Sequence, residues 1–126
     1  TGTVFDAINK DGDYLGGAIA PGIGIASEAL FSRGAMLSRV QLERPPHAIG
    51  RNTVNAMQSG ILFGYAGLVD GVVNRFKEEL EGEVQVVATG GWAQMVARET
   101  KTIDIVNADL TLTGLRLIYE MNSGER

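Results

Sequence analysis

The stretch EVQVVATGGWAQMVA, residues 83–97, changes period partway along. Val84, Val86, Val87 and Ala88 form a β-branched run, and Trp92 to Val96 continues at helical spacing after Thr89-Gly90-Gly91. A strand that breaks at a glycine turn and leaves as a helix is the unit from which α/β folds are assembled. The run is apolar enough for a strand buried inside a mixed or parallel sheet. The turn leaves two uses open: a tight connection, or bare backbone offered to a ligand.

Upstream, TVFDAINKDGDYLGGAIAP (residues 3–21) reads as a β-hairpin, because two apolar runs flank Lys10-Asp11-Gly12-Asp13 and Asp-Gly is a strong hairpin signal. Asp6, Asp11 and Asp13 lack the spacing of a calcium loop, so turn chemistry accounts for Asp11 and Asp13. Pro21-Gly22 ends the second strand. The segment IGIASEALFSRGAML then places Ile25, Ala29 and Leu30 at helical spacing, with Gly34 as the C-cap. Within it, GIGIAS is a poor nucleotide fingerprint, since Ser27 stands where a third Gly is wanted. VQLERPPHAIGRN is a connector whose Pro45-Pro46 pair forbids regular structure. His47, the single histidine, sits in that loop with no Gly-x-Ser-x-Gly elbow in the chain, and is expected to be exposed.

From Asn52 to Leu80 the pattern is helical, as one long helix or two with a bend. Val54, Met57, Ile61, Leu68, Val72 and Phe76 form its predicted core face. A second stripe, Thr53, Ala56, Gly60, Gly64, Gly67 and Gly71, is almost without side chains. Each helical Gly costs about 0.8–1 kcal/mol relative to Ala, so the four sacrifice roughly 3–4 kcal/mol of helix stability. A close neighbour should offset that loss: an element of the same subunit, a symmetry-related helix, or a ligand. Thr53 is the polar end of the stripe. A short strand or extended piece over Ile103 to Val106 and a helix from about Leu110 to Met121 complete the pattern, with Leu112, Leu115, Ile118 and Tyr119 expected to face the core and SGER to fray. The fold class expected is α/β, a small mixed sheet flanked by helices.

Composition narrows the function. The 126 residues carry 11 basic and 15 acidic side chains, net charge -4, with no cluster of Lys and Arg, which argues against a nucleic-acid partner. No Cys is present, so disulfides, thiolate nucleophiles and zinc-thiolate sites are excluded, and a reducing, cytoplasmic setting is expected. No charge-flanked apolar run approaches the length of a membrane span, and no membrane partner is expected. The 17 glycines are about twice the usual share of about 7%. A strand pattern within a few residues of Thr1, with no initiating Met, suggests the C-terminal part of a longer protein.

No constellation of acids, bases or metal ligands emerges, but two backbone-rich turns do: Thr1-Gly2-Thr3 beside a strand and Thr89-Gly90-Gly91 before a helix. Exposed N–H groups at such turns hold phosphate oxygens, and a helix N-terminus adds partial positive charge. In order along the chain, TGTVFDAI, YLGGAIAPGI, IGRNTVNAMQSGILFGYAGLVDG, ATGGWA and LTLTGLRLIYEMN resemble the second phosphate motif, the strand and turn after it, the long helix, the adenosine motif and the closing helix of the type III pantothenate kinases. The resemblance spans Thr1 to Asn122. One departure stands in the phosphate segment, where the family usually has Thr-Ala-Thr-Thr before Phe-Asp and this chain has Thr1-Gly2-Thr3-Val4, one hydroxyl fewer.

That resemblance implies an actin-like ATPase (ribonuclease H-like) fold, with residues 1–126 as a single C-terminal domain and an N-terminal domain preceding Thr1. It implies ATP-dependent phosphorylation of pantothenate to 4'-phosphopantothenate, the first step towards coenzyme A, with ATP, Mg2+ and a monovalent cation (K+ or NH4+) as cofactors. Thr1, Gly2 and Thr3 match the phosphate contacts, Thr89, Gly90 and Gly91 the nucleotide-side turn, and Thr53 the pantothenate contact. The family's first phosphate motif, its catalytic Asp in a Gly-x-Asp-Arg segment and its cation-binding Asp would lie upstream of Thr1, so no catalytic or metal residue is assigned here and the isolated chain is expected to be inert. A homodimer with the substrate pocket at the subunit interface is also implied, the glycine stripe being a candidate contact. Three alternatives remain: a non-catalytic nucleotide-binding actin-like module, a sugar kinase of the same superfamily, whose usual metal-binding Cys/His cluster this chain lacks, and a purely structural domain, against which the two ordered nucleotide-type turns argue.

Overall fold

The computed structural model describes residues 1–33 and 39–124. Strands β1 (Gly2–Ile8) and β2 (Tyr14–Pro21) form an antiparallel hairpin, in register from Gly2↔Pro21 to Ala7↔Gly16, with an irregularity before Ile8↔Tyr14. Asn9 builds the turn: its side-chain oxygen accepts from the Asp11 and Asp13 amides at 3.0 and 2.8 Å, and Gly12 takes φ +86°. The Asp-Gly signal is thus a turn, with Asp13 accepting from Asn9 Nδ2 at 3.2 Å.

Helix α1 (Ile23–Arg33) follows at once. Its buried face is Ile23 and Ser27, while Ile25 and Leu30 of the predicted set stay exposed. The proposed cap at Gly34 lies outside the described residues, as does the end of the SGER tail. Helix α2 (Thr53–Glu79) is one uninterrupted 27-residue helix. Asn52 caps it by accepting from the Asn55 amide at 2.8 Å, a contact of the kind that contributes about 1 kcal/mol. At the far end the Leu80 amide still bonds to Phe76 O at 2.9 Å, and Gly82 turns the chain at φ +77°.

α2 is the spine. Ile61, Leu62, Val69 and Val73 meet Ile23 of α1 and Val96 of α3 in one buried cluster, with Phe5 of β1 packed against it. Phe5 meets Phe76 edge-on at 6.2 Å between ring centres. Leu62 is fully enclosed, so truncating it to Ala should cost about 2–5 kcal/mol. The predicted core face is rotated rather than absent: Met57 and Ile61 are buried, but Val54 is nearly half exposed and Gln58 and Ala66 are buried instead. The connector explains the rotation. It returns along the first turns of α2, where Gln58 Nε2 donates to Gln41 O at 3.1 Å, Ser59 donates to Ala48 O, and Pro45 is fully buried. Arg44 locks this strap to the body through Glu99 at 2.6 Å and lies over the Phe63 ring.

Past α2, β3 (Val87–Ala88) and β4 (Ile105–Val106) pair in parallel on either side of α3 (Ala93–Ala97), and α4 (Leu110–Ser123) follows. The sequence expectation of one small mixed sheet is corrected, because among the described residues β1-β2 and β3-β4 are two separate two-stranded sheets. Only two residues of the long Val84–Ala88 run pair. The amide of Val86 is instead taken by the Asp104 carboxylate at 2.8 Å. Val87 is accordingly half exposed rather than buried between strands.

Two further expectations fail. Leu112, Leu115, Ile118 and Tyr119 do not face a core: no residue of α4 is buried. And α2 does reach membrane-span length and apolarity, with a window of mean hydropathy 1.2. Its packing against α1 and α3, and the hydrogen-bonded Asp70 within it, make it a core helix of this domain.

Candidate functional site

The start of β1 and the end of β2 meet at one corner. The Gly22 amide donates to the Thr1 carbonyl at 2.9 Å, and Thr3 Oγ1 donates to the Pro21 carbonyl at 3.0 Å. A Cβ on Gly22 would stand 2.7 Å from Thr1 O, so only glycine lets the two backbones approach this closely. From α2, the Tyr65 hydroxyl bonds to the carbonyls of Pro21 at 2.8 Å and Gly22 at 3.2 Å. Burial holds its pKa above the ordinary 10.0, so it remains a donor throughout the neutral range. Tyr65 therefore pins the corner to the spine.

The Thr89-Gly90-Gly91 turn is exposed, with Gly90 at φ +112°, a region that favours glycine. A Cβ on Gly90 or Gly91 would meet nothing within 4 Å, so this backbone faces open space. Immediately after it, Trp92 approaches α1, its Nε1 lying 3.8 Å from where a Gly24 Cβ would stand. Trp92, the residue after the second turn, is thereby set against α1 two positions past Gly22 of the corner.

A groove of about 420 Å³ opens there between Ser27 and Phe31 of α1, Leu42 of the connector and Trp92. Glu28 and Arg39 pair in fork fashion on its wall, Arg39 Nη2 donating at 2.9 Å. The walls are aromatic and apolar with a polar edge, a lining that suits a flat heteroaromatic ring. A smaller depression of about 120 Å³ lies on the hairpin face among Val4, Tyr14 and Ile19.

Helix-dipole assistance at the second turn is not supported. α3 has only five residues and Trp92 supplies no side-chain cap, so few peptide dipoles align there. Thr53 lies elsewhere too. It is the first, exposed residue of α2, twelve positions before Tyr65, or about 18 Å along the helix axis at 1.5 Å per residue. His47 is exposed, and among the described residues no three His, Asp or Glu side chains gather as a metal site.

Two side chains that pattern reading passed over organise this region. Tyr65 is one. The other is Asp70, whose carboxylate accepts from the amides of Lys101 at 3.0 Å and Thr102 at 3.1 Å and from Thr102 Oγ1 at 2.6 Å. Burial alone would raise its pKa, but these hydrogen bonds and the Lys101 charge outweigh it and hold the carboxyl below its ordinary value. Asp70 ties the α3–β4 connector to α2. A polar group within an apolar helix was the only sequence signal either residue gave.

The stripe Thr53, Ala56, Gly60, Gly64, Gly67 and Gly71 is exposed along its whole length, and a Cβ on any of the four glycines would meet nothing within 4 Å. Packing within the subunit is therefore not what the small residues serve, among the described residues.

These features place the chain in the class of mixed α/β folds with small sheets flanked by helices. A family model described as type III pantothenate kinase matches residues 1–75, and the chain belongs to that family. It is 59% identical over 122 residues to a type III pantothenate kinase of Roseiflexus sp. (strain RS-1), covering 97% of this chain and 48% of that protein. It is 55% identical to the type III pantothenate kinase of Moorella thermoacetica, covering 98% and 48%. The chain thus spans about half the length of the curated relatives it matches. A crystal structure of a conserved protein from Campylobacter jejuni, assigned by its description to a Baf family, shares the fold, with a TM-score of 0.58 at 20% identity over 98% of this chain and 59% of that one.

Proposed function

We propose that this chain is part of an actin-like ATPase enzyme that transfers the γ-phosphoryl group of ATP to the primary hydroxyl of pantothenate. The observation that supports this reading is the open, glycine-built turn at Thr89-Gly90-Gly91 beside Trp92, in a chain of this family. The phosphates lie against Thr1, Gly2 and Thr3. The adenosine lies against Thr89, Gly90 and Gly91, and its base enters the groove beside Trp92 and Phe31. The open space over Gly90 and Gly91 is the fit that supports this placement.

Phosphoryl transfer depends on in-line positioning, on cations that neutralise developing charge, and on a carboxylate that orients the attacking hydroxyl. This chain contributes positioning. With no acidic cluster among its described residues, Mg2+ and the monovalent cation (K+ or NH4+) are held by the ATP phosphates and by carboxylates outside it, as is the orienting Asp. On this reading the residues form the C-terminal domain, and the rest of the family polypeptide completes the enzyme.

Thr53 contacts pantothenate across a dimer interface. Its distance of about 18 Å along α2 from the level of the corner suits a partner's pocket better than its own, and the unpacked stripe beside it is the contact face. The enzyme works in the cytoplasm.

Gly91→Leu tests the placement of the nucleotide. The substituted side chain enters open space, so folding is spared. In the full-length polypeptide KM for ATP should rise at least tenfold while KM for pantothenate stays within twofold. Equal changes in both constants, or no change, would remove this turn from the nucleotide side.

A further inference from the structure

Helix α4 carries an apolar surface that the rest of the chain leaves uncovered. Leu112, Leu115, Ile118, Tyr119 and Met121 are among its large side chains, whose exposures run from 40% to 75%. The i,i+4 pair of Arg116 and Glu120, 3.6 Å apart, marks its polar side. At 3.6 residues per turn, the apolar arc from Leu117 round to Leu112 spans about 220°, interrupted only by Thr111 and Asn122 near the helix ends. One neighbouring helix covers a stripe of roughly 100°. An arc twice that width needs a socket with walls on two sides.

The area agrees. The chain exposes 9208 Å². A compact monomer of 13.4 kDa exposes about 6,500 Å², which leaves an excess of roughly 2,700 Å². A standard dimer covers about 800 Å² on each partner. A second copy docked through such an interface leaves most of the excess bare, and α2 already offers a narrow small-residue stripe suited to close helix contact. The curated relatives are about twice as long as this chain, which covers 48% of them.

We infer that α4 inserts its apolar arc into a socket on the part of the family polypeptide that these 126 residues do not span, and so clasps the two halves together. The contact is intramolecular. It rests on family membership and on the surface of α4, and does not depend on the kinase reading.

Hydrogen–deuterium exchange over residues 110–123 tests it, in the full-length polypeptide and in the 126-residue chain. The inference predicts exchange at least a hundredfold slower in the full-length polypeptide, unchanged over a hundredfold range of protein concentration. Leu115→Glu should abolish that protection and Thr113→Glu, on the polar side, should leave it within a few fold. Exchange equally fast in both chains would overturn the inference. So would protection lost on dilution, which would assign the surface to a second copy. Neither readout uses activity, so failure here and failure of the proposed function are separately visible.

Discussion

Removing the Asp70 carboxylate should cost the fold more than any other single polar change described above. In Asp70→Ala, Thr102 Oγ1 and the amides of Lys101 and Thr102 lose their acceptor, and Thr102 is only 5% exposed. Hydrogen bonds to a charged group contribute about 1.5–3 kcal/mol, and a stranded buried donor costs about 1–3 kcal/mol. Because these losses overlap and the Lys101 amide can recover water, the expected destabilisation is about 2–4 kcal/mol at pH 7. The charge adds a pH signature. Asp70 has a folded pKa below its ordinary value of 3.8, so its ionised form stabilises the fold above that value and the contribution is lost as pH falls through the folded pKa. Urea unfolding of wild type and variant in the full-length polypeptide at pH 7, 5 and 3 provides the assay. The gap should be full at pH 7 and 5 and smaller at pH 3. A gap below about 0.5 kcal/mol at pH 7, the scale of an ordinary surface change, or one that widens on acidification, would refute the reasoning.

Three further outcomes are expected. A Cβ on Gly17 would stand 1.9 Å from Phe5 O, so Gly17→Ala should destabilise the hairpin by about 1–3 kcal/mol, read as faster amide exchange across β1 and β2; unchanged exchange would show that the backbones separate freely. Gly64→Leu projects into open space, so the subunit should fold normally while the proposed dimer dissociates at least tenfold more readily in sedimentation; a soluble, fully dimeric variant would remove the stripe from the interface. Thr53→Val should raise KM for pantothenate about two- to tenfold, the loss of one hydrogen bond, with KM for ATP unchanged; a shift confined to ATP would contradict the assignment.

Local signals in the sequence carried over well, and those needing a distant partner did not. The Asp11-Gly12 turn, the uninterrupted rhythm of α2 and the strand-to-helix break at Thr89 are each set by neighbours a few residues away, and each stands where the pattern puts it. The buried face of α2 was misjudged because the strap of residues 39–52 covers Gln58, which no periodicity reveals. The sheet was overdrawn because an apolar run shows that a strand can form, not that two of its residues alone will pair. α4 was assigned to a core on amphipathicity, which shows that a helix wants a partner without saying that the partner lies in the same 126 residues. For the candidate site, the glycine turns were visible as motifs. The docking of the first of them on α2 depends on Tyr65 reaching Pro21 across 44 positions, and that is a property of the folded chain.

Incubating the full-length polypeptide with ATP, Mg2+, pantothenate and K+ or NH4+, and following the product by mass, tests the central claim most directly. The account predicts 4'-phosphopantothenate from the full-length polypeptide and none from the 126-residue chain in parallel. No product from the full-length polypeptide while nucleotide still binds would contradict it in favour of a non-catalytic nucleotide-binding module, and product from the short chain would contradict the assignment of the orienting carboxylate to residues outside it.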